Sequence, residues 1–276
     1  MDRYLASKLP NPRTISPLRY PGGKAELVRH ICPLLGPATE LREVFCGGGS
    51  VSLMTLAQAQ VEKVWLNDLD VNVVAFWGDV IRNHATLTDR WMATSTTAAE
   101  AKRWQAELYP TMPEGRDLTD TDRAYGRLLL SQHGFSGDPQ GGLAERTRVK
   151  DRAGIVDRIN KAHALLDGRA RITQLDFEDV IMAPGDDVVL YLDPPYVLAG
   201  GMYRHGFNEA DHCRLKDVLW RTRHRWVLSY DDHPLVRELY SDWCDFRIVA
   251  DYGSGMHQGA KPVRRELLIM PKRNLP

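Results

Sequence analysis

The feature that most constrains this fold is a run of glycines between a predicted strand and a predicted helix. Leu41 to Phe45 predict a buried strand, Gly47 to Gly49 follow it, and the apolar spacing from Ser50 onward predicts a helix with Ser50 at its N-cap. Glycine permits a tight turn and lets a ligand approach without meeting a Cβ atom. Strands that alternate with helices in this way pair into a parallel sheet, so we expect an α/β fold.

An acidic residue follows this turn at the end of the next predicted strand. Val64 to Asn67 predict that strand, and Asp68 lies 19 residues after Gly49. At this spacing a carboxylate can accept hydrogen bonds from ribose hydroxyls, so the pattern favours a nucleoside-containing ligand. The glycines do not follow GxGxxG and no GxxxxGK[ST] occurs, so neither a dinucleotide nor a P-loop is indicated. Taken alone, the turn also suits a plain tight βα connection.

A second strand end carries Asp193, Pro194, Pro195 and Tyr196, directly after the apolar run Val188 to Leu192. Ligands of open α/β sheets bind at the carboxyl ends of the strands. The exocyclic amine of a base is a poor nucleophile, because its lone pair is delocalised into the ring. Asp193 and the carbonyl of Pro194 can each accept one N–H of such an amine, and the prolines stiffen the backbone that carries this carbonyl. Tyr196 can stack on a base that has left the helix.

The region between the two α/β parts of the chain differs from them in composition and in the spacing of its apolar residues. Residues 83–160 are polar, helical in spacing and interrupted by Pro110, Pro113 and Gly115. Residues 161–276 return to short apolar strands, and Phe246 to Ala250 with Leu267 to Met270 predict a closing hairpin. We therefore expect one α/β domain from residues 1–82 and 161–276, with residues 83–160 inserted as a helical lobe.

Positive charge is concentrated in two segments, although the whole chain is neutral. The 36 basic and 36 acidic residues neither require nor exclude a nucleic-acid partner. Residues 141–171 hold eight basic side chains against four acidic ones, and residues 257–276 hold five against one. Such segments suit phosphate contacts, although a solvated basic surface gives the same pattern. The candidate phosphate-contacting residues are Arg146, Arg148, Lys150, Lys261, Arg264 and Arg265.

Composition argues against several other classes of protein. The 276 residues and the 43% hydrophobic content are typical of a soluble globular protein. The four cysteines form no CxxC pair and the nine histidines show no metal-ligand spacing, so we expect neither a zinc site nor a disulfide framework. We see no signal peptide, and no apolar run reaches the roughly 18 residues of a membrane span, so we expect a cytoplasmic protein.

With these motifs in order, the chain resembles the Dam-type class of adenine-specific DNA methyltransferases. The matches run from Ser16 to Lys272, and they include an N-terminal Tyr-Pro-Gly-Gly-Lys segment and a Gly-Phe-Ser-Gly segment at Gly134 to Gly137. The resemblance implies that Asp193, Pro194, Pro195 and Tyr196 are the catalytic motif. The residues implied to hold the methyl donor are Tyr20, Lys24, Phe45, Gly47, Gly49, Asp68, Asp176, Phe177 and Asp193.

The same resemblance implies the fold and the partners. It implies a mostly parallel seven-stranded sheet with helices on both faces, of the Rossmann-like kind that binds S-adenosylmethionine. It also implies that the inserted lobe recognises the target site in double-stranded DNA and that the target adenine is flipped out of the duplex. Ser131 to His133 depart from the family pattern before the lobe signature, which leaves the target sequence open. We expect no metal and a monomer, and a separate restriction enzyme is compatible with the family.

Three alternatives stay open at this point. The nearest is another methyl acceptor, either the exocyclic amine of cytosine or an RNA adenine, because the same geometry serves any flipped amine. The second is a DNA-binding relative that keeps the fold without turnover, which would have no need of Asp193 to Tyr196. The third is a nicotinamide dehydrogenase, which only the glycine turn suggests and which explains neither the later motif nor the lobe.

Overall fold

Seven strands form one sheet in the order β3-β2-β1-β4-β5-β7-β6. The computed structural model describes residues 11–110, 117–145, 149–197, 206–251 and 264–272. The strands are β1 (Ala38–Glu43), β2 (Val61–Asn67), β3 (Ala170–Thr173), β4 (Val188–Leu192), β5 (Arg225–Asp231), β6 (Cys244–Asp251) and β7 (Arg264–Pro271). The first five pair in parallel, and β7 pairs antiparallel with both β5 and β6. The predicted α/β class, the mostly parallel seven-stranded sheet and the closing hairpin are therefore confirmed.

Helices cover both faces of this sheet. In the described residues they are α1 (Val28–Leu35), α2 (Ser50–Ala57), α3 (Val71–Arg82), α4 (His84–Ala93), α5 (Ala98–Leu108), α6 (Asp120–His133), α7 (Arg152–Leu166), α8 (Phe177–Met182), α9 (Glu209–Arg221) and α10 (Pro234–Tyr240). A search of the described residues for a helix with the length and apolarity to cross a membrane finds none.

Strand β4 explains why the sheet is covered on both sides. All five of its residues are buried, and alternate side chains enter different hydrophobic clusters. Val189 and Tyr191 pack into the larger cluster, whereas Val188, Leu190 and Leu192 pack into the smaller one. Successive side chains of a strand point to opposite faces, so a continuous apolar run is what a central strand between two helical layers requires.

The helices of the predicted lobe share their core with the sheet domain. Trp91 of α4 and Trp104 of α5 are fully buried in the cluster that also contains Val51 of α2. Thr119 is the N-cap of α6 and forms a capping box with Asp122. The Thr119 hydroxyl accepts a hydrogen bond from the Asp122 amide, and the Asp122 carboxylate accepts one from the Thr119 amide. The predicted boundary at residue 160 falls within α7. The division into a sheet domain and a recognition lobe stays a prediction.

Candidate active site

The cleft of this protein lies where the two strand-end motifs meet. Strands β1 and β4 are parallel neighbours, but the chain leaves β1 toward β2 and reaches β4 only after the inserted helices. This reversal of strand order is a topological switch point, where open α/β sheets bind their ligands. Gly47 to Gly49, Asp68 and the segment from Asp193 to Tyr196 all line the cleft there.

The N-terminal segment from Tyr20 to Lys24 closes one side of the cleft. A Cβ atom on Gly47, which has a φ of +42°, would lie only 2.7 Å from Cδ1 of the Tyr20 ring. Gly49 is equally confined, since its φ is +62° and its Cβ would lie 2.7 Å from Trp77. Both positions therefore need glycine for backbone conformation and for space. The predicted glycine turn therefore packs between two aromatic rings, those of Tyr20 and Trp77.

The start of α2 differs from the sequence prediction. The helix begins at Ser50 itself and Gly49 occupies the N-cap without a side-chain bond, so the prediction of Ser50 as N-cap is wrong. The cap comes from β1, because a carboxylate oxygen of Glu43 accepts a hydrogen bond from the Ser52 amide at 2.9 Å. A carboxylate at a helix N-terminus satisfies an otherwise orphaned amide and the positive end of the helix dipole. Glu43 is only 4% exposed, and burial raises its pKa to about 7.

Replacing Glu43 by glutamine should therefore stabilise the protein at neutral pH, and the gain should vanish in acid. Because burial raises the pKa of Glu43 from its ordinary 4.5 to about 7, the folded state holds a proton that the unfolded state has released. Wild-type stability then falls as pH rises through this window, by roughly 3 kcal/mol in total, and the glutamine variant loses that dependence. Urea unfolding at several pH values measures the difference. Parallel pH curves for wild type and variant would contradict it, and exposed Glu62→Gln is the matched control.

The side chain of Asp68 is half-buried at the rim of the glycine turn. Its two carboxylate oxygens accept hydrogen bonds from the amides of Gly47 at 2.9 Å and Asp70 at 3.0 Å. Burial raises the pKa of Asp68 to about 6, against the effect of these two bonds. A carboxylate still has lone pairs for further donors such as a diol. Asp68 lines the cleft, and its contact with a ribose stays a prediction.

A charged network lies across the end of β4. The Lys24 ammonium donates to Oδ2 of Asp193 at 2.7 Å and to the carbonyl of Gly22 at 2.8 Å, and it lies 3.6 Å from Glu266 of β7. The Tyr196 hydroxyl donates a hydrogen bond to the same Glu266 carboxylate. The ammonium also lies 5.0 Å from the centroid of the Tyr196 ring. One lysine therefore links the acid and the aromatic ring of the predicted catalytic motif.

Burial governs the electrostatics of this network. It raises the pKa of Asp193, and the positive charge of Lys24 opposes that rise. Burial together with the charges of Asp193 and Glu266 also holds the pKa of Tyr196 well above its usual value. Tyr196 is thus a neutral hydrogen-bond donor across the physiological range. Lys24, and to a smaller extent the Tyr196 hydroxyl, favour the ionised form of Asp193 by lowering its pKa.

Aromatic rings form the opposite end of the cleft. Phe45 and Phe177 have ring centroids 6.0 Å apart, and Phe207 packs against both at 5.7 and 5.5 Å. All three line the cleft, whereas Asp176 is not among its lining residues. Asp176 instead caps α8 and receives two hydrogen bonds from Arg214, at 2.7 and 2.9 Å. The structure thus brings eight of the nine predicted donor-site residues to the cleft, and the role of Asp176 stays a prediction.

The predicted phosphate contacts are only partly within the described chain. Arg146, Arg148 and Lys261 lie outside the described residues. Lys150 is exposed just before α7, and the backbone of Arg264 and Arg265 begins β7. Within the described part of the chain, no group of three or more His, Cys, Asp or Glu residues is arranged to hold a metal ion.

Sequence reasoning missed several residues that border the cleft or its network. The sequence predicted no role in the site for Glu43, Arg127, Phe207 or Glu266. A charged residue inside an apolar strand, as in Arg264-Arg265-Glu266-Leu267-Leu268, is the one sequence signal that could have identified Glu266. Arg127 lies in a helix more than 60 residues before Asp193. Its neighbours are therefore set by tertiary packing alone.

Comparison with known proteins agrees with this geometry. The sequence profile of the D12 class N6 adenine-specific DNA methyltransferases matches residues 20–251. The type II methyltransferase M1.LlaDCHI of Lactococcus lactis subsp. cremoris is 23% identical over 273 residues, covering 91% of this chain and 93% of that protein. The DNA adenine methylase of Vibrio cholerae serotype O1 is 25% identical over 247 residues, covering 81% and 83%. The DNA N-6-adenine-methyltransferase of Escherichia phage P1 is 26% identical over 245 residues, covering 81% of this chain and 31% of that protein.

Proposed function

Because the chain belongs to the D12 class of N6 adenine-specific DNA methyltransferases, we propose that it transfers a methyl group from S-adenosylmethionine to an adenine flipped out of duplex DNA. The observation that carries the proposal is the position of Asp193 to Tyr196. These residues end the strand beside the glycine turn, and both motifs face one cleft at the switch point of the sheet. A base and a nucleoside-containing donor can therefore meet there.

The charge of the cleft supports this choice of donor. S-adenosylmethionine carries a sulfonium, an ammonium and one carboxylate, so it is a net cation. The acidic residues that line the described cleft outnumber the basic ones, five to two. Asp68 offers a carboxylate to the ribose, and Phe45 with Phe177 offers apolar surface to the adenine ring. When bound, the donor supplies an electrophilic methyl group on its positively charged sulfur.

Asp193 has the properties that the acceptor amine requires. Its carboxylate is held by Lys24 at 2.7 Å, so its direction is set before substrate binds. A carboxylate that accepts one N–H, together with the Pro194 carbonyl that accepts the other, favours a tetrahedral nitrogen with a free lone pair. These groups are preorganised in a buried site, where such hydrogen bonds are worth more than in water. This function needs no nucleophile or metal from the protein.

Tyr196 provides a support for the flipped base. Its hydroxyl is held by Glu266, and its ring packs 6.0 Å from the ring of Tyr230. The ring is thereby fixed in one orientation, next to the carboxylate that holds the amine. Enzymes that modify a base stack it on aromatic side chains after extruding it from the duplex. We assign Tyr196 this stacking role.

The inserted helices and the loop after α6 form the proposed DNA-facing lobe. Asp138, Pro139 and Gln140 of this loop line the cleft, and Phe135 beside them is 78% exposed. An exposed aromatic side chain beside the cleft can pack against bases or insert between them. Lys150 lies further along the same connection to α7 and can contact a phosphate.

Replacing Arg264 or Arg265 by alanine should weaken DNA binding and flatten its dependence on salt. Each arginine that contacts a phosphate contributes about one unit to the slope of log affinity against log salt concentration. Fluorescence anisotropy with a duplex at several salt concentrations measures that slope. Lys63→Ala is the matched control, since Lys63 is an exposed cation on β2 paired with Glu40 at 3.5 Å. Slopes that match wild type in both arginine variants would remove these residues from the interface.

The direct test of the function is transfer of a labelled methyl group from S-adenosylmethionine to unmethylated DNA, followed by nucleoside analysis. Label in N6-methyladenine is the expected result. Label in methylcytosine would keep the mechanism and replace the substrate, and label in RNA alone would replace the nucleic acid. Donor binding without transfer to any of these would contradict the proposed catalysis.

A further inference from the structure

An arginine at the border of the cleft lacks the partners that such a residue needs. Arg127 of α6 is 0% exposed, and none of its three guanidinium nitrogens has a hydrogen-bond partner among the described residues. Its guanidinium carbon lies 5.3 Å from the centroid of the Tyr20 ring, and its charge opposes the rise that burial causes in the pKa of Asp68, without a hydrogen bond between the two described side chains. A buried charge that is neither paired nor hydrogen-bonded is costly. Such a group indicates a missing anionic partner.

The other cation of the cleft is already occupied. Among the described lining residues only Lys24 and Arg127 are basic. Lys24 has Asp193, Gly22 and Glu266 around its ammonium. An anionic group of a ligand would therefore compete with a catalytic carboxylate at Lys24 but not at Arg127. Lys24 therefore serves the catalytic carboxylate, whereas Arg127 is available to an anionic group of a ligand.

We propose that Arg127 binds the carboxylate of the amino-acid part of the methyl donor. This inference rests on the proposed function, since it names the contact that orients the donor in the same cleft. A guanidinium presents two parallel N–H groups that match a carboxylate. The nearby Asp68 is positioned for the ribose, so the rest of the donor extends past the glycine turn toward Tyr20 and Arg127.

A carboxylate inside the cleft fits Arg127 better than a phosphate of DNA does. The side chain is closed off from solvent, so a phosphate on the outer surface of a duplex does not reach it. A small ligand within the cleft reaches it through a small displacement of the half-buried Tyr20 ring. The anion also replaces the solvation that Arg127 lost on burial, which makes the contact strong.

Calorimetric binding of three ligands tests this assignment. S-adenosylhomocysteine carries the carboxylate, 5′-(3-aminopropylthio)-5′-deoxyadenosine lacks only that group, and methylthioadenosine lacks the whole amino-acid part. Wild type should bind the first about 10- to 100-fold more tightly than the second, as expected for a charge-assisted hydrogen bond. In Arg127→Met this ratio should fall to about one, with methylthioadenosine affinity unchanged. Arg127→Lys should restore part of the ratio, because it keeps the charge and loses the fork.

The outcomes separate this inference from the function on which it rests. If wild type binds none of the three ligands, the proposed donor is wrong. If wild type binds S-adenosylhomocysteine and the decarboxylated ligand equally, or if Arg127→Met keeps the wild-type ratio, the donor stands and the role of Arg127 is wrong. The wild-type protein alone shows whether the donor carboxylate contributes to binding, so the inference can be contradicted even if Arg127→Met does not fold.

Discussion

Asp193→Ala should all but abolish methyl transfer to DNA, with a loss of about a hundred- to a thousandfold in kcat, as for removal of a preorganised group that stabilises a transition state. The physical reason is that the acceptor amine loses the carboxylate that accepts its N–H group. Single-turnover transfer with saturating DNA and donor measures the effect on the chemical step alone. Asp193→Asn is the matched variant, because it keeps the shape of the side chain and removes its charge.

The fold should survive this substitution. Burial raises the pKa of Asp193, so its ionised form is costly and its removal relieves that cost. Lys24 keeps the Gly22 carbonyl at 2.8 Å and Glu266 at 3.6 Å. Circular dichroism and urea unfolding of the variant check this point. Wild-type turnover in folded Asp193→Ala would exclude Asp193 from the reaction.

Lys24→Met should have the largest effect on stability, a loss of about 3–5 kcal/mol, because it leaves Asp193 and Glu266 as buried carboxylates without their cation. Lys24 is 6% exposed. The control is Lys161→Met on α7, whose ion pair with Asp157 has the same 2.7 Å length but is 72% exposed at the lysine. That variant should lose only about 0.3–0.5 kcal/mol, as exposed helical pairs do. Equal losses in the two variants would contradict the role of burial at Lys24.

The same variant should change the pH dependence of turnover. Burial raises the pKa of Asp193 and Lys24 lowers it, so removal of the ammonium should raise this pKa further. If catalysis requires ionised Asp193, activity falls as pH decreases through that pKa, and the acid limb should move to higher pH in Lys24→Met. A pH profile of single-turnover transfer measures the shift. An acid limb at the wild-type position would mean that Asp193 is not the titrating group.

The most local parts of the site could be predicted because glycine and proline constrain their own backbone. The turn at Gly47 to Gly49 and the strand end at Asp193 to Tyr196 are where the sequence places them. The hairpin of β6 and β7 follows from its apolar runs in the same way. These signals depend on residues a few positions apart, so no knowledge of the rest of the chain is needed to interpret them.

Two strands were not correctly predicted from the local apolar pattern. β1 spans Ala38–Glu43 and not Leu41 to Phe45 as predicted, because charged residues of this strand are buried where the apolar pattern does not expect them. Arg42 donates to Glu40 at 2.6 Å and to carbonyls of the loop after α8. β3 was not predicted, since this edge strand has only four residues and none of them is fully buried. Both strands depend on partners more than 100 residues away in sequence.

The sequence by itself determined the α/β class, the two motifs of the cleft and the family to which the chain belongs. Only the tertiary structure decided that Lys24 pairs with Asp193 and that Glu266 holds Tyr196. It also decided that Arg127 borders the cleft without a hydrogen-bond partner among the described residues. The physical reason is that backbone preferences act over a few residues, whereas burial and electrostatic pairing depend on which distant side chains the packed sheet and helices bring together.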